Sequence, residues 1–175
     1  PVTTSISPRI TYPSVSRVLG VTNIGICNFV DSIINYFLVF STMGISVLGV
    51  REIAAAREDR KERSRVFSNL LFLNAFTTLI ATLVLLVSIF VVPSWAPYRK
   101  LLLVGVAKLL ANSLFLDWLY RGVEEFRYIT HRSILIKTLY VISIFLFVRK
   151  TEDYGVYFLL LTLATVLNAL VNIFY

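Results

Sequence analysis

The stretch VFSNLLFLNAFTTLIATLVLLVSIFVV, residues Val66–Val92, runs 27 residues without one charged side chain. A helix crosses the hydrocarbon layer in about 20 residues, so this segment alone is long enough to span a bilayer with some tilt. The rest of the chain agrees. Of 175 residues, 57% are hydrophobic and 15% are charged, and the mean hydropathy is +0.78. Soluble domains average about 25% charged residues, and a chain this short cannot hide so much apolar surface from water. Composition excludes a disordered tail and a basic DNA-binding domain. A single cysteine excludes a disulfide-rich secreted domain. The fold class is all-α integral membrane.

Outward from Val66–Val92, the same reading finds other candidate spans, about six in total. They are Pro1–Val15, Ile24–Val50, Leu101–Tyr120, Ser133–Val148 and Tyr154–Tyr175. The first is short and polar, with Pro8, Arg9 and Pro13; the last carries no charge to the end of the chain. The connections are short. Residues 16–23 read as a turn, and Arg51–Arg65 is charged, with Ala54, Ala55 and Ala56 favouring an amphipathic helix. Pro93–Tyr98 is a turn whose aromatic residues suit the membrane interface. The chain opens Pro1-Val2-Thr3 without an initiator Met or a signal-peptide pattern, and stops at Tyr175 inside an apolar run. Both ends are expected to be cuts, leaving a piece of a longer protein.

Lys and Arg in the loops set the expected orientation. With the N-terminus cytoplasmic, nine cations fall in inner loops, among them Arg51, Arg65, Arg121, Arg127 and Arg132. Five fall outside: Arg17, Arg99, Lys100, Arg149 and Lys150. That asymmetry favours an N-terminus inside.

Polar residues within the spans line up. At 100° per residue, Asn28, Asp31, Ser32, Asn35, Thr42 and Ser46 fall within about 100° of one another. Tyr154, Tyr157, Thr165, Asn168, Asn172 and Tyr175 fall within about 80° on the last span. Asn74, Thr78 and Thr82 form an i, i+4, i+8 row, and Ser133, Lys137 and Tyr140 align on the fifth span. Such stripes either hydrogen-bond neighbouring helices or line a wet cavity for a polar substrate. Intramembrane charges are functional candidates by default. Lys108 either snorkels to the outer surface or serves function, and Lys137 has an inward snorkelling route. Asp117 and Arg121, four apart, are able to pair with each other. Asp31, beside Asn28, Ser32 and Asn35, suits either a satisfied buried carboxylate or a proton site.

Familiar catalytic signatures are missing. His131 is the only histidine and Cys27 the only cysteine, and neither belongs to a metal or disulfide motif. No Gly-rich phosphate loop or HExxH occurs, and Glu58-Asp59, Glu124-Glu125 and Glu152-Asp153 read as solvated loop charge. An enzyme is disfavoured, and no cofactor, metal or nucleic acid is expected.

Three loop-edge stretches carry a resemblance: Thr11–Gly20, Gly49–Ala54, and Asp117–Thr130, the last reading DWLYRGVEEFRYIT. In order and spacing, the chain resembles bacterial polysaccharide-biosynthesis flippases. These are O-antigen or capsule repeat-unit translocases of the multidrug/oligosaccharidyl-lipid/polysaccharide exporter superfamily. The resemblance implies one lobe of a two-lobe, inverted-V transporter working by alternating access in the bacterial cytoplasmic membrane. Its substrate would be a polyprenyl-pyrophosphate-linked oligosaccharide, with membrane lipids and other polysaccharide-assembly proteins as partners. It implies cations for the pyrophosphate at Arg17, Arg51 and Arg121. Sugars would then meet a groove lined by Asn28, Asn35, Thr42, Asn168 and Asn172, and Asp31 is the nominee for proton or sodium coupling. The alternatives are a membrane-embedded polymerase or glycosyltransferase of the same pathway, and a drug or cation exporter of the same superfamily.

Overall fold

A computed structural model describes the backbone of residues 3–42 and 44–172, and side chains from Val15 onward except Met43; its described elements are all helical. Five stretches are long and apolar enough to cross a membrane: Val15–Ala55, Arg60–Val91, Pro93–Gly122, Phe126–Phe147 and Thr151–Val171. They correspond to the second through sixth expected spans. The expected first span, with Arg9 and its two prolines, lies outside the residues whose side chains are described, apart from Val15.

Helix α1, Thr3–Thr42, is two helices joined at Gly20, which takes φ 78° and ψ 158°. That backbone region is open essentially to glycine alone. One residue therefore does what the sequence reading assigned to an eight-residue turn. The expected span Ile24–Val50 is also divided. Helix α2, Ile45–Ala55, starts after Gly44, whose φ is 79° and whose carbonyl accepts from Val47 N and Leu48 N at 3.0 Å each.

The charged stretch Arg51–Arg65 is not one amphipathic helix. Helix α2 ends at Ala55 and helix α3, Arg60–Val91, begins once the Asp59 carboxylate accepts from Lys61 N and Glu62 N, at 2.8 and 3.2 Å. A side-chain cap of this kind satisfies amides that the first turn leaves bare. A 3-10 turn, Pro93–Tyr98, leads into α4, Arg99–Asn112. The expected span Leu101–Tyr120 breaks at Asn112, where Asn74 Nδ2 donates to the carbonyls of Asn112 and Ser113 at 3.5 and 3.3 Å. Past the helix end the chain tightens, with Phe115 N donating to Asn112 O at 3.1 Å, and the α3 amide adds a donor to these end carbonyls. Helices α5, Asp117–Gly122, α6, Phe126–Phe147, and α7, Tyr154–Val171, complete the chain.

Three buried clusters hold the bundle. The largest joins α1, α3, α4 and α7 through Val30, Ile34, Leu85, Ile89, Leu102 and Phe158. The second packs Val15, Leu19 and Ile24 against Ile144 and Val148, and the third packs α2, α3 and α5 around Ile53, Leu70 and Trp118. Few glycines occur, but three sit where helices come closest. A Cβ on Gly105 would collide with Ile34, one on Gly49 would lie 2.6 Å from the Trp118 ring, and one on Gly122 2.5 Å from Ile53 Cγ2. Small residues at such points let helix backbones approach. The outer faces of α3 and α6 expose Phe72, Leu83, Phe90, Leu135, Ile142 and Phe145. Apolar area of that extent belongs against lipid rather than water.

Candidate functional site

On α1, Val30, Ile33 and Ile34 face the core while Asn28, Ser32 and Asn35 are exposed. Asp31 stands between the two faces, and Lys108 of α4 reaches it. Lys108 Nζ donates to Asp31 Oδ1 at 2.6 Å and to Asn35 Oδ1 at 3.3 Å, and Asn35 Nδ2 donates to Asp31 Oδ2 at 3.0 Å. The side chains are 26% exposed for Asp31 and 11% for Lys108. Lys108 therefore does not snorkel outward. Sequence reasoning missed this pair, although its signal was present: opposite charges on neighbouring spans, each costly alone, gain by meeting.

The other polar residues of the stripes are less open. Asn74, Thr78 and Thr82 are buried in α3, so that row is a helix interface. Just past the end of α7, Asn172 is 1% exposed and its backbone carbonyl accepts from Tyr120 Oη at 2.7 Å. Asn168 is half-buried. Thr42 is half-buried and donates to carbonyls of its own helix. Among the expected groove residues, Asn28 and Asn35 are the two in the open.

Arg17, Arg51 and Arg121 are exposed, and none forms an ion pair among the described residues. They do not gather at one point. Thr151 Oγ1 donates to Val18 O at 3.2 Å and Asn23 Nδ2 to Thr151 O at 2.8 Å, so Arg17 lies near the α6–α7 connection. Arg51 and Arg121 lie on α2 and α5, which pack together at the opposite end. The 18 residues of α7 separate the two ends by about 27 Å. Asp117 pairs not with Arg121 but with Arg132, at 2.5 Å. Arg132, expected to be a solvated loop cation, is instead buried inside α6, so it is not part of the exposed cationic set at that end.

The chain is thus a polytopic helical membrane protein that turns one polar, ion-paired face of a spanning helix outward from its own bundle. It belongs to the family described as "Polysaccharide biosynthesis protein", which matches residues 2–175. It is 26% identical over 150 residues to the "Putative O-antigen transporter" of Escherichia coli (strain K12). That alignment covers 85% of this chain and 36% of the relative, so the chain spans about a third of the relative's length. No solved structure matches it. Two of the three resembling stretches have a packing role: Gly49 and Ile53 mesh with Trp118 and Gly122, locking α2 to α5.

Proposed function

We propose that this chain forms the N-terminal lobe of a transporter. It would carry polyprenyl-pyrophosphate-linked oligosaccharide units across the bacterial cytoplasmic membrane by alternating access, for O-antigen or capsule assembly. The observation that carries the reading is the exposed polar cluster of α1, with Asn28, Ser32 and Asn35 near the Asp31–Lys108 pair. Hydrocarbon does not solvate such a cluster, so a spanning helix keeps it toward water or polar protein. Family membership and a relative named as an O-antigen transporter support polysaccharide as the cargo. The lipid tail stays in the bilayer while only the head group crosses.

Cations at both ends of the bundle suit the two stations of an alternating-access cycle. Arg51 and Arg121 would take the pyrophosphate at the cytoplasmic side, the end with more loop Lys and Arg, and Arg17 would meet it at the outer side. Ion coupling at Asp31 becomes a competition, because a proton or sodium ion must displace the Lys108 ammonium. In a strain dependent on this protein for surface polysaccharide, Arg51→Ala and Arg121→Ala should each lower export. Lipid-linked units should accumulate on the cytoplasmic leaflet while membrane insertion stays normal. Wild-type export by both variants would remove the cationic-site assignment. Accumulation of unpolymerised units on the outer leaflet would point to a polymerase instead.

A further inference from the structure

Midway along α1 the exposed face sets polar Asn28, Ser32 and Asn35 among apolar Phe29, Val39 and Phe40, and it carries no net charge. Asp31 lies eleven residues from both Gly20 and Thr42, about 16 Å from either end of that segment. Its carboxylate, the Lys108 ammonium and the Asn35 amide close a three-membered hydrogen-bonded ring, each group bonded to the other two. On the same helix Asn28 and Ser32 are exposed, and Tyr36, further round it, presents a 69% exposed ring. Exposed arginines outside the ion pairs, among them Arg17, Arg51 and Arg121, are at the ends of the bundle instead.

We infer that the Asp31–Asn35–Lys108 ring is a station for uncharged sugar residues and discriminates against acidic ones. This rests on the transport reading and specifies what its middle section recognises. Within the ring, the carboxylate is more exposed than the ammonium, 26% against 11%. An incoming ligand therefore meets the acceptor oxygens of Asp31 first. Sugar hydroxyls can donate to those oxygens and accept from the second N–H of the Asn35 amide. The C–H face of a neighbouring pyranose in the same glycan can lie on Tyr36, an apolar surface with a polar tip. A uronate carboxylate approaching the same point meets like charge, while the Lys108 ammonium is already engaged by Asp31 and Asn35. Rejection by a misplaced charge is an established route to specificity.

The test uses the full-length protein in lipid nanodiscs and three probes. They are a polyprenyl pyrophosphate bearing a neutral trisaccharide, the same lipid bearing a uronate-containing trisaccharide, and the bare polyprenyl pyrophosphate. Wild type should bind the neutral glycolipid about tenfold more tightly than the acidic one. Asp31→Asn leaves Lys108 uncompensated and should reverse that preference. Asn35→Leu keeps the ion pair and should weaken the neutral glycolipid alone, which preserves a readout if Asp31→Asn does not accumulate. Both variants should bind the bare lipid pyrophosphate as wild type does. Equal loss for bare and glycosylated lipid would make the ring a phosphate site and overturn the inference. So would a wild-type preference for the acidic glycan. Failure of wild type to bind any of the three lipids would instead remove the transport reading beneath it.

Discussion

The Arg132 guanidinium, 3% exposed, ties α6 to α5 through Asp117 and lies over the rings of Phe115 and Tyr128, at 5.9 and 5.5 Å. Its Nε and Nη1 have no partner among the described residues, so Asp117 and two aromatic faces are its main compensation. Removing one member of such a pair strands the other charge, and buried pairs broken this way typically lose about 3–5 kcal/mol. Arg132→Met should destabilise the protein by that order, read as a lower unfolding midpoint in detergent. Adding Asp117→Asn to the same protein should recover part of the loss; no recovery would mean that the aromatic contacts, not the charge, dominate. Both ion pairs of the membrane region, Asp117–Arg132 and Asp31–Lys108, were only half legible in the sequence. Each charge was visible as costly, but helical periodicity names partners three or four residues away on the same helix. The true partners lie 15 and 77 residues along the chain, brought by turns that periodicity does not describe. One of those turns runs through Glu124, a non-glycine residue at φ 64°.

Whole spans are easier to read than their breaks, because 20 apolar residues announce themselves and one glycine does not. Val66–Val92 falls inside α3 almost unchanged, whereas Ile24–Val50 and Leu101–Tyr120 each prove to be two helices. The breaks fall at Gly44, in a left-handed backbone, and at the end of α4, where i→i−3 turns replace the helix and the Asn74 amide reaches the Ser113 carbonyl. Glycine substitutions therefore separate three physical cases. Gly20→Ala forces a Cβ into a backbone region reserved for glycine, with open space around it, and should cost about 1–3 kcal/mol. Gly122→Ala keeps an ordinary backbone but drives its Cβ to 2.5 Å from Ile53 Cγ2 and 3.3 Å from Val50 O. Overpacking of that kind costs about 1–3 kcal/mol, and should loosen α2 from α5. Gly25→Ala meets nothing within 4 Å in mid-helix and should be neutral or stabilising by up to about 1 kcal/mol. Unfolding midpoints of the three variants would rank them, and a Gly25→Ala as damaging as Gly122→Ala would reject the close-packing account.

At the scale of the molecule, the bundle sorts its polar residues by destination: α3 spends Asn74, Thr78 and Thr82 inside, while α1 keeps Asn28, Ser32 and Asn35 outside. The two stripes look alike in sequence, since angular alignment records which residues share a face but not what that face meets. Their difference is open to chemistry. Cys27 is the only cysteine and is buried, so the wild-type protein offers an unreactive background for single-cysteine labelling. Cysteines placed at Asn28 and Asn35 should react with a membrane-impermeant thiol reagent when the face opens to water. Cysteines at Asn74 and Thr78 should stay protected, and one at Thr42, half-buried, should fall between them. Added lipid-linked oligosaccharide should slow labelling at Asn35 while leaving Thr78 unchanged, since only the first residue lies on the face proposed to meet sugar. Protection of Asn28 and Asn35 equal to that of Thr78, in every state of the working protein, would mean that another polar protein surface seals this face. The stripe would then be an interface like that of α3, and the path of the glycan would have to run elsewhere.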